Sequence, residues 1–216
     1  MGELVSVNVG RPRAAAWAMI GRTSIDKAPV SRPVDVGRRG LEGDQVSDTR
    51  HHGGPDQAVY AFAREDLDAW ERVLGETLPN GVFGENLTTR GLDVNDAEIG
   101  ERWRVGDDLV LEVSSPRTPC RDFRTWVGRC GYDERAWVRR FTEAGRPGPY
   151  LRVLVAGTIR VGDPVEVIHR PGHGVTVTTV FRALTSERHL LGGLLGIEGI
   201  SARVRRRAEE HLAGRT

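Results

Sequence analysis

Lysine is nearly missing from this chain of 216 residues: Lys27 is the only one, and the other basic residues are arginines and histidines. Covalent lysine chemistry, such as a Schiff base with pyridoxal phosphate, therefore has a single residue to use. Cysteine is scarce too, with Cys120 and Cys130 alone. Two cysteines make no disulfide scaffold in a chain of this size, although one Cys120–Cys130 bridge is conceivable. No apolar run approaches the ~20 residues of a membrane helix. Met1-Gly2-Glu3-Leu4-Val5 lacks the basic-then-apolar pattern of a secretory signal. The expectation is a cytoplasmic protein with no membrane contact. A net charge of +1 supplies no overall field for nucleic acid. GxxxxGK[ST], GxGxxG after a strand, GxSxG and HExxH are all absent, which removes the common nucleotide-binding, hydrolase and zincin readings.

What is present is a soluble-type composition, 38% hydrophobic and 28% charged, suited to one domain or one domain with a small appendage. Period-two alternation predicts strands at Leu4 to Val9, Pro33 to Val36, Ala58 to Phe62, Val82-Phe83 into Leu87-Thr88, Leu109 to Val113, Tyr150 to Ala156 and Val165 to His169. Arg64 to Leu74 and Tyr132 to Ala144 carry apolar residues at helical spacing. Many short strands and few helices predict a mainly β, α+β protein built on a barrel-like sheet. After the linker Arg170-Pro171-Gly172-His173-Gly174 the character changes, so residues 1–172 are expected to form the barrel-like domain and 173–216 a small helical module. Within that module Val175 to Val180 reads as one last strand, and Ser201 as the cap of a final helix running to Leu212. Arg203-Val204-Arg205-Arg206-Arg207 reads as a solvated helix face, with Glu209 and Glu210 as countercharges; the alternative is a docking surface.

Four segments carry candidate chemistry. In Ser114-Ser115-Pro116-Arg117-Thr118-Pro119-Cys120, the prolines take the chain out of the sheet and leave Cys120 at a rigid strand exit near Arg117. A thiolate there serves as nucleophile or soft-metal ligand, and a nearby guanidinium favours it. Cys130 has no such setting and reads as inert. Arg38-Arg39-Gly40-Leu41-Glu42-Gly43-Asp44 is a turn with two phosphate-type donors or a plain solvated turn. In His51-His52-Gly53-Gly54-Pro55-Asp56 the glycines let backbone N–H groups face an anion, and His52 and Asp56 are placed to orient substrate or move a proton. Phe83-Gly84-Glu85-Asn86-Leu87-Thr88-Thr89 reads as a bulge presenting Asn86, whose donor and acceptor suit a heteroaromatic edge.

Ile25-Asp26-Lys27-Ala28-Pro29-Val30, Gly40-Leu41-Glu42-Gly43-Asp44, His52 to Val59, Phe83 to Leu87 and Pro116-Arg117-Thr118-Pro119-Cys120 occur in one order, extended by Tyr150-Leu151-Arg152-Val153 and Gly162-Asp163. Together they resemble the MOSC family, named for the C-terminal domain of molybdenum cofactor sulfurase. The tail resembles the three-helix module of stand-alone bacterial members linked to resistance to 6-hydroxylaminopurine. The resemblance implies a MOSC-type barrel that binds the molybdenum cofactor (molybdopterin with its molybdenum), with Cys120 ligating the metal and Cys120, Asp56 and His52 at the reaction centre. Lys27, Arg38, Arg39, Asp44, Gly53, Gly54, Asn86, Thr88 and Arg117 would hold the cofactor. Gln57 stands where many relatives have a basic residue, a charge that Arg38, Arg39 or Arg117 would replace. The implied reaction is reduction of N-hydroxylated bases or amines with electrons from a separate reductase protein, without nucleic acid or membrane partners, in a monomer or homodimer. The rival readings are a cofactor or sulfur carrier with a persulfide on Cys120, a non-catalytic binding module, and pyridoxal phosphate binding as in the wider sulfurase proteins.

Overall fold

The structure, a computed structural model, describes residues 1–214. Seven strands form a closed ring: β1 (Gly2–Val9), β2 (Val59–Ala63), β3 (Leu87–Arg90), β4 (Arg102–Val105), β5 (Leu109–Pro116), β6 (Pro149–Val155) and β7 (Pro164–His169). Around the ring the order is β7-β4-β5-β6-β2-β3-β1, and β1 closes back onto β7. Every pair in the ring is antiparallel except β2–β3. A parallel pair needs a crossover, and helix α1 (Arg64–Leu74) provides it, with the bounds its spacing predicts. The strand expected at Pro33 to Val36 forms at Val34–Gly37 and lies outside the ring, in a small sheet with Gly40–Leu41 and Gly157–Ile159.

β2 shows how one strand serves two cores. All five of its residues are buried. Val59, Ala61 and Ala63 join the aliphatic core with Leu4, Leu87, Trp103, Leu111 and Leu151. Tyr60 and Phe62 point the other way, into an aromatic core with Trp70, Phe83, Phe123, Trp137 and Phe141. That second core joins the barrel to α1, α2 (Arg121–Arg129) and α3 (Trp137–Ala144).

Several local expectations are corrected. α2 was not anticipated, although Phe123, Trp126 and Val127 are buried at helical spacing. α3 begins at Trp137 rather than Tyr132, because Ala136 takes a left-handed conformation (φ 50°). β5 continues to Pro116, which is tolerated as the strand's last residue, opposite Pro149. Gly84-Glu85-Asn86 is no bulge but the end of a turn, which the Glu85 carboxylate closes by accepting from Gly81 N (2.6 Å) and Phe83 N (3.1 Å). Val175 to Val180 is not a strand. Only Thr176 makes a bridge, to Glu98, and Val177–Thr185 is helix α4. Thr176 caps it, and Val177, Val180 and Phe181 share one buried face, so packing overrides the strand preference of β-branched residues. A 3-10 segment, Arg188–Leu194, leads to α5 (Ala202–Ala213), capped by Ser201 as expected. Val177, Val180, Leu191, Leu194, Val204 and Ala208 belong to the same aliphatic core as the barrel strands. Among the described residues no helix is long and apolar enough to cross a membrane.

Candidate functional site

Cys120 is the N-cap of α2. Its Sγ accepts from Phe123 N at 3.4 Å, so the sulfur sits where first-turn backbone donors point. Cys130 caps the other end of this helix, about 15 Å away by helical rise, and both cysteines are free. Burial pushes the Cys130 thiol up to about 11, in keeping with an inert role.

Cys120 opens onto a cavity of about 960 Å³, lined also by Lys27, Asp44, His52, Gly53, Asn86 and Arg117 among the expected site residues. Arg117 is buried, with its guanidinium 3.5 Å from the Phe123 ring centroid. Its backbone N–H donates to Gly148 O at 3.1 Å, and its Nη1 has no hydrogen-bond partner. Ser115 Oγ, also buried and lining the cavity, is unsatisfied as well. His52 Nδ1 lies 3.5 Å from the Tyr150 hydroxyl. Burial, and then the charge of Arg117, pushes the His52 pKa down to about 4, so its ring is neutral at neutral pH. Burial raises the pKa of Tyr150, which keeps its proton there.

Lys27, Asp44 and Asn86 form one network. Lys27 Nζ is ion-paired with Asp44 Oδ1, which also accepts from Gly10 N at 2.7 Å. Burial lowers the Lys27 pKa against the pull of Asp44. Asn86 Nδ2 donates to Asp44 Oδ2 (2.9 Å) and Asn8 O (3.3 Å), while its Oδ1 accepts from Tyr60 N (3.1 Å). Both amide protons are spent, so Asn86 is a brace rather than a free recognition edge.

The remaining expected residues are not part of the lining. Arg38 and Arg39 are exposed on the hairpin between Val34–Gly37 and Gly40–Leu41. Gly54 precedes the 3-10 turn Pro55–Gln57. Thr88 Oγ1 lies in the barrel wall, donating to Glu85 Oε1 (3.1 Å) and accepting from Asn8 Nδ2 (3.1 Å). Asp56 is committed to structure: its Oδ1 accepts from Arg152 Nε (3.1 Å) and Nη2 (2.7 Å), and its Oδ2 from Ala202 N (2.9 Å). It ties the His52 loop to the start of α5. Sequence reasoning missed Tyr150, Ser115, Arg22 and the α5 residues Arg203, Arg206 and Arg207, all of which line the cavity.

A model of the MOSC domain family matches residues 48–166, more than half of the chain and the stretch that holds His52, Arg117 and Cys120. The chain belongs to the MOSC family. The uncharacterized protein YflK of Bacillus subtilis is 34% identical over 81% of this chain and 77% of its own length. A protein of Gibberella moniliformis named reductase is 31% identical over 85% of this chain, which spans 32% of that protein. The crystal structure of YiiM from Geobacillus stearothermophilus superposes with a TM-score of 0.81 at 27% identity, covering 98% of this chain and 100% of that one. This MOSC barrel and its tail therefore share one architecture with that structure.

Proposed function

We propose that this MOSC protein binds the molybdenum cofactor and reduces N-hydroxylated compounds, with Cys120 as the protein's ligand to the metal. The observation that carries this reading is the donor set. One thiol faces a large cavity beside a buried arginine, and Arg117 Nη1 and Ser115 Oγ have no internal partner. Among the described residues no group of three or more His, Cys, Asp or Glu side chains could hold an ion. A metal at Cys120 must then arrive with its other ligands already attached, as it does in an organic dithiolene cofactor. Arg117 and Ser115 supply donors for the cofactor's anionic and polar groups. The bound cofactor would supply two-electron redox chemistry, recharged by a separate reductase protein.

Reduction of an N–OH group consumes two protons and two electrons and releases water. Tyr150, which burial keeps protonated, and the neutral His52 ring 3.5 Å from it line the cavity with Cys120, so the Tyr150 phenol would give its proton to the departing hydroxyl and regain one from solvent. Lys27, the one residue a pyridoxal aldehyde could condense with, holds Asp44 instead.

The test is elemental analysis for molybdenum, with pterin fluorescence after oxidation, on protein made in a cofactor-competent host. Near-stoichiometric metal, lost in Cys120→Ala together with turnover of 6-hydroxylaminopurine, is the expected result. Unchanged turnover in Cys120→Ala would sink the assignment. A persulfide on Cys120 by mass spectrometry, without pterin, would favour a sulfur carrier.

A further inference from the structure

α5 is a wall of the cavity, not only a solvated helix. Arg203, Arg206, Arg207 and Glu210 all line it, at positions i, i+3, i+4 and i+7 of one helical face. Val204 and Ala208, on another face, are buried in the core. Arg205, between the two faces, donates to Leu195 O (2.7 Å) and Ile197 O (3.4 Å) and is spent on structure. The one acid on the cavity face, Glu210, lies 3.8 Å from Arg207. Arg203 gives an N–H to the His51 carbonyl, and among the described residues no carboxylate pairs with Arg206. From the hairpin of Arg13–Ala14 and Arg22–Thr23, Arg22 adds another guanidinium to the same lining.

The cavity therefore has two cationic positions. Arg117 is buried on the loop that leads into Cys120, whereas Arg203, Arg206 and Arg207 are exposed and belong to the tail. A bare heterocycle occupies a small part of a cavity near the top of the ~300–1,000 Å³ range of small-molecule sites. Adjacent guanidinium forks match phosphate oxygens better than isolated point charges do. We propose that the α5 face is the subsite for the anionic end of the substrate, a phosphomonoester of nucleoside monophosphate size whose reducible end reaches Cys120. The proposal rests on the reductase reading above and adds the substrate's charge.

Adenosine 5′-monophosphate and adenosine differ only by the phosphate. Each would be titrated by calorimetry into the molybdenum-loaded and the cofactor-free protein. We expect the phosphorylated probe to bind about tenfold tighter in both forms, with a preference that shrinks as salt is added. An Arg206→Gln/Arg207→Gln variant should lose the preference while keeping its melting temperature and pterin content. Equal binding of the two probes, or a preference that survives the double substitution, overturns the proposal. So does a preference confined to cofactor-free protein, or loss of pterin from the variant, since either assigns these arginines to the cofactor's own phosphate. Failure of the reductase reading shows separately: no turnover of N-hydroxylated compounds by the loaded protein, with the phosphate preference intact.

Discussion

The Arg117 guanidinium is buried, and among the described residues no carboxylate pairs with it. The ring of Phe123 offsets part of the desolvation, since a cation over an aromatic face gains up to about 2 kcal/mol when shielded from water. The bare Nη1 still costs roughly 1–3 kcal/mol, which a bound anion would recover. The same charge acts on His52, second only to burial, and the outcome is a test at this scale. The folded-state pKa of His52 is about 4, against 6.5 unfolded. Between these values the unfolded chain binds more protons, so this group's contribution to stability is full above pH 6.5 and is lost as pH falls through 4. Glu85 runs the other way. Burial raises it from 4.5 to about 6, so its contribution is full below 4.5 and lost as pH rises through 6. The quantity to read is therefore the difference between wild type and His52→Gln in urea midpoints at pH 7.5 and pH 5. The wild type should lose about 2 kcal/mol more than the variant on acidification. Identical pH dependence would show that His52 does not titrate as its surroundings require.

Among the elements, α2 and the Pro147–Tyr150 approach to β6 hold Arg117 and Cys120 in place together. Gly148 is the hinge of this arrangement. Its N donates to Asn95 Oδ1 (2.9 Å) and its O accepts from Arg117 N (3.1 Å). Its φ is +70°, and an added Cβ would run into the Ala61 carbonyl and lie 3.0 Å from Phe62 Cδ2. Gly148→Ala should therefore cost about 3 kcal/mol or more, combining left-handed strain with a backbone collision. In a domain of this size that lowers the melting temperature by about 10 °C. A drop of a degree or two by calorimetry would mean the turn relaxes freely. The Asp56–Arg152 ion pair belongs to this scale as well. Arg152 Nη1 also reaches Glu112 Oε1 (2.6 Å) and Gly199 O (3.0 Å), so one guanidinium joins β5, the His52 loop and the approach to α5.

At the scale of the whole molecule, the tail and barrel share a core, and the cavity lies where they meet. Val177, Val180, Leu191, Val204 and Ala208 are each no more than 4% exposed. Removing residues 173–216 would strip those partners from the barrel and expose a large apolar surface. The truncated chain is expected to lose its near-UV circular dichroism and to bind a hydrophobic dye while retaining secondary structure. A truncated barrel with native near-UV signal and intact molybdenum content would show that the tail is dispensable to both core and site.

Residue patterns local to the chain determined a great deal. Alternation located six of the seven ring strands, all but Arg102–Val105, helical spacing bounded α1, and Ser201 marked the start of α5. The ordered motifs identified the MOSC family, and Cys120 with Arg117 stood out from the prolines around them. These signals are legible because they depend on neighbours a few positions apart. Which polar groups are already spent depends on residues far apart in the chain. Asp56 reads as a reaction-centre acid until Arg152 and Ala202 claim it, and Asn86 as a recognition edge until Asp44 and Asn8 take its protons. The Arg203–Arg207 run reads as solvated until α5 packs Val204 and Ala208 inward and turns its arginines toward the cavity. Chain closure brings these groups together, and a buried donor or acceptor takes the partner that folding puts within reach.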